Sequence, residues 1–294
     1  MTATPPAATQ HKVFSPARVW AIASNTLLEL IRLKVFYFLL VFALLVIGTL
    51  FVYRTIFQDE FQSLKDVALG AMSIFSLLLA ILPTAMLLPK DVEDRTLYTI
   101  LAKPVPRFEY LLGKFLGVLL VLFIAVSLMS LVFLTVLFLR MQVAIGEASR
   151  TAHGPLLNAE LADIRHNAFN ESLLPGIFIV YLKAVVCASL TLLLSTFASS
   201  MIFTVMVSFV VQIIGHIQSI ARDAVIENAG HFTKIFYTLL ALLIPDLSAF
   251  SLVDEMVSGT VIPLDLFVKT TALGGIYVAV YFFVAYFIFM GKEL

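Results

Sequence analysis

The stretch Glu93-Asp94-Arg95-Thr96-Leu97-Tyr98-Thr99-Ile100-Leu101-Ala102-Lys103-Pro104-Val105-Pro106-Arg107, closing on Leu112-Gly113-Lys114, lies between two long apolar runs, one ending near Leu88 and one starting near Tyr110. A turn between membrane spans needs only a few polar residues, so a charged segment of this length does more than turn. The apolar runs decide the fold class. The chain is 61% hydrophobic and 13% charged, with a mean hydropathy of +1.03, whereas soluble domains are roughly half apolar and about a quarter charged. The expectation is an all-α integral membrane protein whose spans each take about 20 mostly apolar residues.

Working outward, six spans are predicted at about 35–52, 67–88, 110–139, 177–198, 201–220 and 266–290. Residues 1–14 read as a disordered tail without the apolar core of a signal peptide. Ser15 offers an N-cap and Pro16 a first helical position, so a helix is predicted over 15–34. Val19, Trp20, Ala23, Leu27, Leu30 and Ile31 recur at helical intervals, with Arg18, Asn25, Glu29 and Arg32 opposite them. That pattern predicts an amphipathic helix in the membrane interface, with Trp20 at headgroup level. Pro83 predicts a kink in the second span. Residues 140–173 read as a polar, partly helical loop. Residues 235–253 hold an apolar run too short to cross, broken by Pro245-Asp246, and predict a re-entrant or interfacial segment before the last span.

Lysine and arginine are denser in the segments on the N-terminal side of the membrane (Lys90, Arg95, Lys103, Arg107 and Lys114 among them) than in the longer loops carrying Arg54, Lys65, Arg140, Arg150 and Arg165. The positive-inside rule then puts both termini and the charged stretch in the cytoplasm. Net charge is zero, and nothing points to nucleic acid. The only cysteine, Cys187, excludes an intrachain disulfide and a cysteine-based metal site. His153 and His166 have no ligand spacing and read as solvated. Lys183 and His216 fall within spans; snorkelling for the lysine and an interhelical polar contact for the histidine are the plainer readings. Asn170-Glu171-Ser172 is a glycosylation triplet only if the chain meets that machinery. No catalytic constellation is evident, and no Gly-x-x-x-x-Gly-Lys-Ser/Thr run occurs, so the chain is not expected to be an enzyme or to bind a cofactor.

In the charged stretch, Pro89 is predicted to open a short helix with Asp91, Glu93 and Asp94 in its first turn, Lys103 at its end and Pro104 as its stop. Asp91 and Arg95 have the spacing of a helical ion pair. Such a helix, with Leu97, Ile100 and Leu101 as an apolar stripe and Glu93, Arg95, Tyr98 and Arg107 as anchors, suits a partner's groove and equally an interfacial helix that snorkels its charges.

The run Glu-x-Arg-Thr-Leu-Tyr-x-Ile-Leu-Ala-Lys-Pro-Val-x-Arg, continued by Glu109-Tyr110-Leu111-Leu112-Gly113-Lys114-Phe115-x-Gly117, resembles the signature of ABC-2 type exporter permeases, closest to the multi-copper enzyme maturation (nitrous-oxide-reductase maturation) branch. The match covers residues 88–117; many members of the wider family carry Gly where this chain has Arg95. The resemblance implies that residues 35–294 form an ABC-2 type transmembrane domain. It implies a cytoplasmic coupling helix between spans 2 and 3, seated on a separate ABC ATPase that binds ATP and Mg. It also implies a second permease subunit, either a copy of this chain or a related permease, a connecting helix over 15–34 and an inner-membrane location. Carried over by position, Glu93, Arg95, Thr96, Leu97, Tyr98, Leu101, Pro104 and Arg107 would shape the ATPase contact, and Arg18, Trp20, Glu29 and Arg32 would belong to the connecting helix. The implied function is ATP-driven export. Two other readings are an ion-gradient-driven secondary transporter, which the scarcity of acids in the spans disfavours, and a subunit that passes ATPase motion to a periplasmic partner without moving cargo.

Overall fold

A computed structural model describes residues 14–50, 60–93, 105–151, 155–198, 200–228, 244–250 and 263–291. Residues 94–104, which carry Arg95, Thr96, Leu97, Tyr98, Leu101 and Pro104, lie outside the described residues, as do the N-terminal tail up to residue 13, His153, and most of 229–262. Eight α-helices are described: α1 (Pro16–Ile31), α2 (Lys34–Thr49), α3 (Glu60–Glu93), α4 (Arg107–Thr151), α5 (Pro155–Ala168), α6 (Leu173–Phe197), α7 (Met201–Asn228) and α8 (Leu264–Gly291), with a single 3₁₀ turn at Ser248–Phe250. No strand occurs among the described residues. Five helical stretches are long and apolar enough to cross a membrane, six if α1 and α2, bent by 67° at their junction, count as one broken span. The described residues are helical throughout their long elements, with the apolar helices of a multi-pass membrane protein.

Several elements outrun their sequence expectations. The second span is the middle of a 34-residue helix that carries both Pro83 and Pro89 inside it. Pro89 therefore does not open a new helix, and Asp91 and Glu93 belong to the last turn of α3. A membrane helix tolerates proline because neighbouring groups supply what the lost N–H bond removes. The third span continues without a break to Thr151, a 45-residue helix, and α5 follows it, so the polar loop expected over 140–173 is largely helical. Lys65, taken from sequence as a loop residue, is 1% exposed. Its Nζ donates to the Asn167 carbonyl at 2.6 Å, tying α3 to the C-terminal turn of α5, where a cation is favoured.

The core centres on α6, where every residue from Leu182 to Leu193 is buried. A helix apolar on all sides belongs inside a bundle. Three of its buried hydroxyls bond its own backbone: Ser189 to the Val186 carbonyl at 2.7 Å, Thr191 to that of Cys187 at 2.8 Å and Thr196 to that of Leu193 at 2.6 Å. By contrast α7 leaves Ile202, Met206, Val210, Ile213 and Ile217 more than half exposed along one face, the surface a lipid-facing span presents.

Of the segment before the last span, residues 244–250 are described. Pro245 and Asp246 are non-helical, and Asp246 Oδ1 accepts from the Ser248 backbone N–H at 3.1 Å, an Asx turn. The Leu247 N–H donates to the Gly215 carbonyl of α7 at 3.1 Å.

Helices α1 and α4 approach closely. A Cβ on Gly113 would lie 2.7 Å from Ile22 Cβ, and one on Gly117 would lie 2.6 Å from Thr26 Cβ. Two small residues four apart on one face let the helices come this close. The seam on α1 is Val19, Ala23, Thr26 and Leu30, all buried. Trp20, placed by periodicity in the apolar stripe, is 62% exposed on the side away from this seam. Gly117→Val is expected to cost about 1–3 kcal/mol through overpacking, read as a lower midpoint of thermal unfolding in detergent. Gly48→Ala, at a position where a Cβ meets open space, should leave that midpoint unchanged.

Candidate functional site

The polar groups that converge at one end of the bundle flank the 94–104 segment on both sides. From the α3 side come Lys90 and Asp91; from the α4 side come Arg107, Glu109, Tyr110 and Lys114; α1 lies across both. The C-terminus of α3 and the N-terminus of α4 are neighbours because a short connection joins them, and α1 reaches them because Gly113 and Gly117 clear its path.

The Arg18 guanidinium of α1 makes a two-point contact with Glu109, Nε to Oε2 at 2.6 Å and Nη2 to Oε1 at 2.7 Å. The Ser15 backbone N–H donates to the same Oε1 at 2.8 Å. Ser15 thus stands at the N-cap position without a side-chain cap; the Glu109 carboxylate of another helix receives its N–H, and it also sits where the dipole of α1 favours negative charge. Glu109 is 0% exposed, so its two-point arginine partner is what makes its burial tolerable.

Further along α1, Glu29 accepts from Lys90 Nζ at 2.8 Å and from Lys114 Nζ at 3.4 Å. Lys114 also pairs with Asp91 Oδ2 at 2.8 Å, and the Tyr110 hydroxyl donates to that same oxygen. Lys114 Nζ lies 5.9 Å from the Tyr110 ring centroid, within cation–π range. Two carboxylates and two ammonium groups give this cluster no net formal charge. Burial would raise the Glu29 carboxyl, but the Lys90 hydrogen bond and the charges of Lys114 and Lys90 outweigh it and hold the group below its ordinary value. The Arg18 guanidinium is shifted further up by its hydrogen bond to Glu109.

Arg107 closes the arrangement on the other side. Its Nη1 donates to the Phe289 and Met290 carbonyls at 3.2 and 2.7 Å. These are among the last carbonyls of α8, which lack intrahelical partners and favour a cation. The ring of Tyr110 stacks on Phe289 with centroids 5.9 Å apart, so the start of α4 holds the end of α8 by both polar and aromatic contact.

Of the residues singled out from sequence, Arg18, Glu29 and Arg107 thus join a packed network. Arg32 and Trp20 are exposed. Glu93 ends α3, and its side chain lies outside the description. The sequence reading missed Lys90, Asp91, Glu109, Tyr110 and Lys114 as a connected set. A signal for part of it existed: Tyr110 and Lys114 are four apart, hence on one face of a helix, at the end where Asp91 leaves the preceding span. Compared with known proteins, the chain matches no family profile and no curated sequence.

Two outcomes follow from the network. Lys114→Met removes the ammonium between Asp91 and Glu29 and is expected to lower stability by about 3 kcal/mol, as breaking a buried pair does, while Lys114→Arg retains most of it; thermal unfolding of the purified variants checks both. Because the Glu29 carboxyl is depressed in the folded chain, its contribution is complete above the unfolded value of about 4.3 and is lost as pH falls through the folded value. The stability difference between the wild type and Glu29→Gln should therefore stay constant near neutral pH and shrink on acidification below about pH 5.

Proposed function

We propose that this chain is the transmembrane permease subunit of an ATP-driven exporter of the ABC-2 type. The observation that carries the reading is that both flanks of residues 94–104 are bound to one helix, α1, by Arg18–Glu109 and by Glu29 with Lys90 and Lys114. A segment anchored on both sides transmits force; one left loose would absorb it. Together with the signature resemblance of residues 88–117, this anchoring suits a coupling helix seated on a cytoplasmic ATPase, with Glu93, Arg95, Thr96, Leu97, Tyr98, Leu101 and Pro104 at the contact.

In this reading ATP and Mg belong to the partner, and the permease itself performs no catalysis. Closure of the ATPase dimer displaces residues 94–104. Asp91 and Glu109 carry the displacement into α3 and α4, α1 moves with them along the inner membrane face, with Trp20 as its headgroup anchor, and Arg107 passes it to α8. A second permease subunit, a copy of this chain or a related permease, completes the transporter, and both termini lie in the cytoplasm of a cell bounded by this inner membrane. Arg107 has a double duty here, shaping the coupling segment while it caps α8, so its replacement is a poor test of the contact.

The test is purification of the tagged chain in mild detergent with mass spectrometry of what accompanies it. A stoichiometric ABC ATPase is expected with the wild type. The Arg95→Glu, Tyr98→Ala double variant should retain the wild-type unfolding midpoint and lose at least about tenfold of the ATPase, as loss of two interface anchors of about 2 kcal/mol each requires. A folded chain that purifies alone under several gentle conditions would overturn the reading in favour of a gradient-driven carrier.

A further inference from the structure

Away from the charged end of the bundle, a cavity of about 620 Å³ opens between α3, α6 and α7 and is closed at one side by Leu247 and Phe250. This is within the roughly 300–1,000 Å³ usual for small-ligand sites. Its walls are mostly apolar, with Leu77 and Leu78 from α3, Val180 from α6 and Phe209 from α7. Four polar side chains interrupt them: Ser73 from α3, Lys183 from α6, and Gln212 and His216 one turn apart on α7.

Lys183 is 8% exposed, so it does not snorkel as its sequence position suggested. It lies ten residues into α6, roughly 15 Å along the helix at about 1.5 Å per residue, about half the thickness of a bilayer core. No ion pair or hydrogen bond to it occurs among the described residues. An ammonium at that depth costs several kcal/mol unless an anion or a polar path compensates it. Gln212 is 5% exposed, and neither end of its amide has a hydrogen-bond partner. The Cys187 thiol interacts with this amide but not at hydrogen-bonding geometry. A buried amide with both ends unmet is rare in a finished protein interior. His216 is exposed at the mouth, next to Ile213 and Ile217, which are 60% and 51% exposed.

We propose that this cavity binds the anionic headgroup of an amphiphile, a phosphate or carboxylate, and that its apolar walls receive the first part of the attached chain. The Lys183 ammonium supplies the counter-charge, the Gln212 amide donates to a headgroup oxygen, and His216 borders the entrance. A cation without an anion among the described residues, an amide without a hydrogen bond among them and an apolar wall beside both together define a ligand charged at one end and greasy at the other. The site stands on binding alone and does not depend on whether an ATPase drives this protein.

The experiment adds dioleoyl phosphatidic acid, dioleoylglycerol or inorganic phosphate to the full chain in a neutral maltoside detergent, and follows the unfolding midpoint and the bound mass by native mass spectrometry. Phosphatidic acid is expected to raise the midpoint saturably with one copy retained, and dioleoylglycerol to do neither. Lys183→Met exchanges a buried charge for an apolar group of similar length, so it is expected to fold; it and Gln212→Leu should each need at least about tenfold more phosphatidic acid, while Lys183→Arg stays near the wild type. An equal response from Lys183→Met and Gln212→Leu, or an equal response to dioleoylglycerol, overturns the site. Saturation by inorganic phosphate alone overturns the amphiphile and makes the ligand a soluble anion.

Discussion

The close approach of α1 to α4 is the constraint on which the charged end of the molecule depends. With any side chain at Gly113 or Gly117, Ile22 and Thr26 would be pushed outward, and Arg18 and Glu29 would move away from the groups they pair with. The steric fit and the ion pairs therefore support each other. The glycines bring α1 within reach, and the bonds to Glu109, Lys90 and Lys114 hold an otherwise modest helix of 16 residues in one place.

A second regularity is the use of long cations on helix C-termini. Arg107 serves the last carbonyls of α8 at one end of the bundle, and Lys65 serves Asn167 at the end of α5 near the other. Both have the same physical cause. A helix end packed among other helices leaves carbonyls without partners, and a flexible cation from a neighbour satisfies them while opposing the negative end of the dipole. Cations that read as topology markers along the sequence are thus also fasteners between helices.

The interior follows different rules from the ends. Around α6, contact is nearly all apolar, and Ser189, Thr191 and Thr196 turn back on their own helix. Lys183 and Gln212 break that pattern, and they do so beside a cavity. At the charged end each buried carboxylate meets a cation, Glu109 with Arg18 and Asp91 with Lys114; the Lys183 region is not matched among the described residues. That contrast separates the two sites by their chemistry: one completes itself, the other has room for a ligand.

Sequence alone determined that this is an all-helical membrane protein and roughly where its apolar helices run, because burial in lipid demands long apolar segments and leaves a mark that composition and length reveal. It also drew attention to Arg18, Glu29 and Arg107, although for other roles. Only the tertiary structure decided which way α1 faces. Helical periodicity put Arg18 and Glu29 on a polar side opposite the apolar stripe, yet both pair with neighbouring helices, and Thr26 on the same helix is buried. The reason is that the surface α1 meets is not lipid but a glycine face flanked by Glu109 and Lys114, and a charged rim on a helix looks the same in sequence whether it meets water or opposite charge. Pro89 misled for a related reason: proline marks a helix start on local grounds, whereas here the apolar span runs on through it to Glu93. The Asp91–Lys114 pair and the Lys183 cavity join residues far apart in the chain, and their existence depends on how the helices cross, which no local pattern encodes.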